Sequence, residues 1–339
     1  MGSRMAPLDR LSPEPGGPGQ SMGGQSAGGQ TMGGQSTATA AELIAVLVAV
    51  TDDAPRVLTI DDGAALPSGP FASDDRSLQT SLRAWVERQT HHALGYVEQL
   101  YTFADADRTG ADSRVISISY LGLTREAAAA AGGGAAWRGW YRYFPWEDAR
   151  DDASARVVRQ IAPRLRAWAD AAGSGGERAV RRQRAAVTFG LSGRPWSEEL
   201  VLQRYELLYE AGLVQEAIRR RMLDAEPVPG SEMRHDHRRI LATAIARLRA
   251  KIKYRPVVFE LMPDTFTLLQ LQRVFEAVAG RLLHKQNFRR LIEQQALVEE
   301  TGAVTTGTGG RPAKLFRFRK EVLQERAVAG SKLPLARSR

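Results

Sequence analysis

A chain of 339 residues with no cysteine, 47 Lys+Arg and 38 Asp+Glu excludes several classes of protein at once. The length favours two domains over one, and the missing cysteines rule out a disulfide scaffold, a thiolate-zinc site and a thiol nucleophile, which points to a reducing compartment. No apolar run approaches the roughly 20 residues that span a bilayer, and the start lacks the basic-then-apolar order of a signal peptide, so a soluble, cytoplasmic protein with no membrane partner is expected.

Residues 1–40 are rich in Gly, Ser, Gln and Met, with a Gly-Gly-Gln echo at Gly23, Gly28 and Gly33. Such a segment buries too little apolar area to offset its ordering entropy and reads as a disordered tail. Leu43 to Val50 and Arg56 to Ile60 are apolar runs separated by the turn residues Thr51-Asp52-Asp53-Ala54-Pro55, a buried hairpin. Ser77 to His91 reads as a helix with Leu78, Leu82, Trp85 and Val86 on one face. Val97 to Phe103 and Arg114 to Leu123 read as strands joined by a polar loop, and an Ala/Gly-rich loop at 127–136 precedes the aromatic cluster Trp137, Trp140, Tyr141, Tyr143, Phe144 and Trp146. Val157 to Ala171 is amphipathic, Gly173 to Gly176 reads as a flexible break, Ser197 to Leu223 as one or two helices, and Pro227-Val228-Pro229-Gly230 as a linker.

Beyond the linker the spacing predicts a helix over His237 to Ile252, a second over Leu268 to Ala279 capped by Thr267 and ended by Gly280, and a third over Lys285 to Gln295. Strands at Leu297 to Glu299 and Ala313 to Phe318 flank a Gly/Thr-rich loop. Three helices followed by a hairpin is the order of a winged helix-turn-helix. Charge agrees with it: residues 1–230 hold 25 basic against 28 acidic side chains, and residues 231–339 hold 22 against 10. A domain of that bias is an electrostatic footprint for a polyanion, most often nucleic acid.

In the third helix, Phe288, Leu291 and Ile292 share one face, which leaves Lys285, Gln286, Asn287, Arg289 and Arg290 outward. These are the residue types that read adenine and guanine or hold phosphate. The loop between the strands adds Arg311 and Lys314 at a wing tip. All seven are candidate contacts to double-stranded DNA.

A Nudix hydrolase box places a Gly, a Glu after five residues, Arg-Glu-x-x-Glu-Glu after seven more and a final Gly, because a hard divalent cation needs several carboxylates around a pyrophosphate. Counting from Gly69 lands on Asp75, then on Arg83 and Glu87 as required, but on Ala84 and Arg88 in place of glutamates and on Thr90 in place of Gly. The spacing is kept while the carboxylates are lost. No metal site, required cofactor or catalytic residue is therefore expected.

The run Val97-Glu98-Gln99-Leu100-Tyr101-Thr102-Phe103 with Arg114-Val115-Ile116-Ser117, then His235-Asp236-His237, Phe266-Thr267-Leu268, Asn287-Phe288-Arg289-Arg290 and Gly310-Arg311-Pro312-Ala313-Lys314, resembles the Nudix-related transcriptional regulators of NAD metabolism, the NrtR-like family with its NadQ-type branch. The resemblance covers residues 41–146 and 235–320. It implies an α+β chain: a disordered tail (1–40), a degenerate Nudix-like α/β sandwich that senses a ligand (41–150), a mostly helical insertion and linker (151–230), a winged helix-turn-helix (231–322) and a basic tail (323–339). It also implies a bacterial, nucleoid-associated repressor of NAD biosynthesis or salvage genes, acting as a homodimer on a palindromic operator. The implied effector is an adenine nucleotide: ADP-ribose, ATP or a relative of NAD. The insertion of about 90 residues departs from shorter members of the family.

Three readings stay open for the first half: a nucleotide sensor, an active pyrophosphohydrolase completed by carboxylates such as Glu98 or Asp105, and a dimerisation scaffold. The candidate effector residues are Arg83, Glu87, Arg88, Tyr101, Phe103 and Arg114. Arginines at 83 and 88 are able to face a pyrophosphate in place of the metal. Trp140, Tyr141 and Phe144 are expected in the core rather than on an adenine. His235 and His237 do not share a helix face, so Asp236 is read as a cap and not as part of a metal pair.

Overall fold

The computed structural model describes residues 38–72, 75–92, 94–103, 113–126, 134–253, 257–305, 312–319 and 321. Residues 1–37 of the expected tail, Asp105, the wing tip with Arg311 and the expected basic tail at 323–339 lie outside them.

A mixed sheet forms the first half. Strand β1 (Ala38–Thr51) runs parallel to β5 (Ser113–Leu123) along one edge, from the Ala38 and Ser113 pair to the Val48 and Leu123 pair. Its other edge pairs antiparallel with β3 (Ser68–Phe71) in its first part and with β2 (Ala54–Thr59) in its last. Outer strands β4 (Tyr96–Phe103) and β6 (Ala136–Gly139) give the order β4-β5-β1-β2-β6. The β1 run is apolar at consecutive positions because both faces are covered. Leu43, Ala45 and Leu47 point to one layer, and Ile44, Val46 and Val48 to the other. Asp52 and Asp53 turn the hairpin with φ of 51° and 59°, the left-handed pair that suits the twist of the strands.

Helix α1 (Leu78–Thr90) covers the first layer through Leu82 and Val86. Ser77 caps it by accepting from the Thr80 amide, and His91 ends it in the left-handed region. The other layer is made by the rest of the chain. Helices α2 (Asp152–Asp170), α3 (Gly175–Phe189), α4 (Val201–Glu210) and α5 (Gln215–Arg221) lead into α6 (His237–Lys251). Helix α6 packs on β1 and β4, and α7 (Leu268–Ala279) on β1 and β2. Helix α8 (Lys285–Gln294) and the hairpin of β7 (Val298–Val304) and β8 (Lys314–Phe318) complete the winged helix. One apolar cluster runs from Ile44 through Phe144, Leu165 and Tyr205 to Phe275 and Leu297. No described helix is long and apolar enough to cross a membrane.

Several expectations need correction. Residues 38–40 belong to β1, because the parallel partner β5 extends to Ser113 and satisfies their backbone. Gly173 to Gly176 is not a flexible break: α3 starts at Gly175, with Ser174 accepting from the Glu177 amide and the Glu177 carboxylate accepting from the Gly173 amide. The short strands β3 and β6 have too few residues to show a period. The segment 151–230 is packed into the shared core, and its linker is built in, with Val228 buried and donating its amide to the Leu213 carbonyl. Gly230 sits at φ 132°, where an added Cβ would stand 2.5 Å from the Arg238 guanidinium.

Candidate functional site

The candidate nucleic-acid interface is built around helices α7 and α8 and the turn that joins them. Thr267 caps α7 in a full capping box with Gln270, and Gly280 ends it at φ 71°. The turn into α8 is tied by the Glu276 carboxylate, which accepts from the Leu283 amide and from Gln272, whose side-chain amide also donates to the Leu283 carbonyl. Helix α8 then places Phe288 and Ile292 inward, with Phe288 edge-on to Phe275 at 5.5 Å, while Leu291 is half-buried. Lys285, Gln286, Asn287, Arg289 and Arg290 are all exposed on the outer face. None of these five is engaged in a side-chain hydrogen bond or ion pair with the described chain.

The wing is anchored from below. Phe266 exchanges two backbone hydrogen bonds with Phe316, of 2.9 and 2.8 Å, and Phe259 stacks on Phe318 at 3.9 Å. Lys314 is exposed and pairs across the hairpin with Glu300 at 2.9 Å. An exposed pair of this kind contributes little, so its ammonium is available to a stronger anion at small cost.

The expected effector residues do not meet. Arg83 spends its guanidinium on the carbonyls of Leu94 and Gly95, which clamps the chain between α1 and β4. Arg88 is exposed and lies over the Trp85 ring at 4.4 Å, and Glu87 is exposed. Trp85 itself covers Gly69 and donates to the Pro70 carbonyl. Tyr101 is 59% exposed on the outer strand β4. Phe103 corrects the expectation: it is core, 4% exposed, with the Arg239 guanidinium 5.3 Å from its ring centre, and offers no surface to a ligand. The backbone of Arg114 in β5 pairs with Thr39, and its side chain lies outside the described structure. An open groove of about 680 Å³ runs between Gln160 and Arg164 of α2 and the segment Glu226 to Gly230, and none of the expected effector residues lines it.

Glu98, a carboxylate considered for metal binding, is engaged by Lys251 of α6. Among the described residues no group of three His, Asp or Glu stands close enough to hold a metal ion. Trp140, Tyr143, Phe144 and Trp146 are fully in the core. His237 accepts from the Leu66 amide at 2.9 Å, a link between α6 and the sheet. Asp236 makes no side-chain cap on α6, contrary to expectation, because its backbone departs from the extended geometry of a cap.

Sequence reasoning missed the polar junction between the two halves. Glu147 is fully buried and its carboxylate meets two buried guanidiniums, Arg204 (2.5 Å) and Arg249 (2.6 Å). Burial alone would raise this carboxyl, but the charges and hydrogen bonds of Arg204 and Arg249 outweigh it and hold the group below its ordinary value. Arg249 also donates to the carbonyls of Val278, Glu198 and Glu147, and Arg204 to those of Thr188 and Ser197. Close by, Arg238 pairs with buried Glu216 at 3.1 Å and donates to the Tyr143 carbonyl. Gly280 sits against this node, and its carbonyl accepts from the Ala149 amide at 2.7 Å. The turn that delivers α8 is thus fixed to the end of the sheet domain.

A Nudix-like sheet sandwich carrying a winged helix is the class these observations define. Residues 258–318 match the family model described as the NrtR DNA-binding winged helix domain. A curated relative, the ADPR responsive transcriptional repressor NtrR of Acinetobacter baylyi, is 40% identical over 87 residues, which are 26% of this chain and 34% of the relative, so the match spans about a third of that protein. The crystal structure of Shewanella oneidensis NrtR complexed with a 27mer DNA superposes with a TM-score of 0.50 at 19% identity, over 86% of this chain and 96% of that one. The chain is similar to those regulators in its winged helix by sequence and along most of its length by fold.

Proposed function

We propose that this chain is a ligand-responsive DNA-binding transcriptional repressor of NAD biosynthesis or salvage genes, cytoplasmic and homodimeric, acting on a palindromic operator. The observation that carries the reading is α8, whose buried Phe288 and Ile292 fix a face of five unengaged donors beside a basic wing. Lys285, Gln286, Asn287, Arg289, Arg290, Arg311 and Lys314 are the proposed DNA contacts. The similarity to a repressor named as ADPR responsive supports an adenine nucleotide, ADP-ribose first, as effector.

The sheet domain serves in this reading as a sensor without hydrolytic activity. Ala84 and Arg88 stand where the box requires glutamates, and Glu98 is held by Lys251. Arg83, Glu87, Arg88, Tyr101 and Arg114 remain the proposed effector side, with Arg83 needing to leave the Leu94 and Gly95 carbonyls to reach a phosphate. Incubation with ADP-ribose and Mg²⁺ tests this half: binding seen by calorimetry without release of AMP is expected, and AMP release would overturn it.

For the reader, Arg289→Ala or Arg290→Ala should weaken operator binding by about 1–3 kcal/mol if the side chain reads a base, with specificity relaxed at one position. A phosphate contact would instead lower affinity uniformly and reduce the salt slope by about one. Unchanged affinity in both variants would remove α8 as the reading helix.

A further inference from the structure

The helical segment between the two matched parts carries a feature that the reader and the sensor do not use. On α2, Arg156, Arg159 and Arg166 fall at spacings of three and seven, within one arc of the helix and opposite the buried Ile161 and Leu165. All three are exposed, and none has a side-chain hydrogen bond or ion pair with the described chain. Most other arginines of the same segment behave differently: Arg182 pairs with Asp170, Arg184 with Glu210 and Arg219 with Glu232, while Arg178 and Arg194 are exposed and unengaged but stand singly, apart from this face. Among the described residues, α8 is the other helix that presents two or more unengaged arginines.

We infer that this arginine face of α2 is an accessory DNA surface that binds backbone phosphates flanking the site read by α8. The inference rests on the DNA-binding reading above and extends it to a segment outside the matched winged helix.

Three arguments support DNA over another acidic partner. First, α2 is fixed to the reader: Asp151 caps its start by accepting from the Ala153 amide at 2.7 Å, and two residues earlier the Ala149 amide donates to the Gly280 carbonyl in the turn before α8. A charged face held in constant relation to the reading helix would meet the flank of a bound duplex at a fixed offset. Second, Arg156 to Arg166 spans about 15 Å along the helix, a length over which one DNA strand presents a phosphate about every 3.4 Å of its axis. Third, the exposed residues beside the arginines are Ala155, Gln160, Pro163 and Ala167, with no large apolar side chain to enter a lipid interface. Two carboxylates lie at the ends of the face: Asp170, which is neutralised by Arg182, and Asp152, at the first turn of the helix where its charge complements the helix dipole.

The test compares the full chain with a triple variant, Arg156→Gln, Arg159→Gln and Arg166→Gln, on a duplex that the wild-type chain selects from a random-sequence pool, with long flanks and trimmed to the selected site. On the long duplex the variant should keep the selected sequence, lose flank protection in a hydroxyl-radical footprint and show a salt slope lower by about two to three. On the trimmed duplex the two proteins should agree. Restoring the charge with lysine at the three positions should restore the slope, and the melting temperature should not move. An unchanged footprint and slope on the long duplex would overturn the inference while leaving the repressor reading intact. Loss of binding by the variant to anionic phosphatidylserine vesicles, with DNA binding unchanged, would overturn it in favour of a membrane surface. Failure of the wild-type chain to select any DNA would overturn the repressor reading, and this inference with it.

Discussion

Glu147 is the residue on which the junction depends. One carboxylate serves two guanidiniums that are themselves removed from water, so replacing it leaves two buried cations facing each other. Breaking a buried network by removing one partner costs on the order of 3–5 kcal/mol, and Glu147→Gln should lower the denaturation free energy by that amount. The sign with pH follows from the direction of the shift. The folded carboxyl is held below its ordinary value of 4.5, so its contribution is present above that pH and is lost as pH falls through the folded value. Chemical denaturation from pH 7 to pH 3 should show a steeper fall for wild type than for Glu147→Gln, and parallel curves would contradict the assignment. Gly280 is the second such residue. A Cβ there would collide with the Glu147 carbonyl and stand 2.7 Å from the Arg249 guanidinium, at a φ of 71°. That left-handed backbone itself costs a side chain about 1–2 kcal/mol. Gly280→Ala should therefore lower both the melting temperature and operator affinity, and an unchanged melting temperature would show that the turn is not held as described. Gly280 is legible in the sequence as the end of a helix, but the junction it packs on is not, because Glu147 lies 57 and 102 residues from its partners and no local pattern links them.

At the scale of elements, the features written in neighbouring residues are the legible ones. Thr267, Gln270 and Gly280 bracket α7, and the apolar positions Phe288 and Ile292 fix which side of α8 faces out. A related cap is present at Ser174 and Glu177, where the carboxylate reaches the Gly173 amide one residue before the cap, but the two intervening glycines mask the start of α3. Phe103 departs from expectation for a different reason. It shares a face of β4 with the exposed Tyr101, the two rings 5.1 Å apart, and is buried because the Arg239 side chain of α6 lies over it, a cover that no pattern within the strand announces. The reader makes a clean contrast between packing and recognition. Phe288→Ala removes a buried ring packed on Phe275 and should cost about 3–5 kcal/mol of stability. Arg290→Ala on the opposite face should leave the melting temperature within error while weakening DNA binding. Equal destabilisation by the two would mean that the outer face of α8 is packed against something.

Over the whole molecule, the shared core decides how a signal can travel. Helix α6 rests on β1 and β4 and is pinned there by Lys251 to Glu98 and by His237 to Leu66, while α7 rests on β1 and β2 with Arg273 paired to Asp53 at 3.2 Å. A reader joined in this way to the sheet has no hinge among the described residues to swing on. In the proposed homodimer, an effector bound on β4 or α1 is therefore expected to shift the relation between the two copies of the chain, since a ligand moves an equilibrium only through its preference for one arrangement. The absence of cysteine makes this measurable, because each introduced thiol is unique in the sequence. Spin labels at Ala84→Cys on α1 and Gln294→Cys on α8, both exposed, report the distance within one chain. A label at Gln294→Cys alone reports the distance between the two reading helices of a dimer. Addition of ADP-ribose should leave the first distance unchanged and move the second by more than about 2 Å, the scale of shifts at subunit interfaces. A change confined to the distance within the chain would place the moving part inside the protomer and refute the rigid junction.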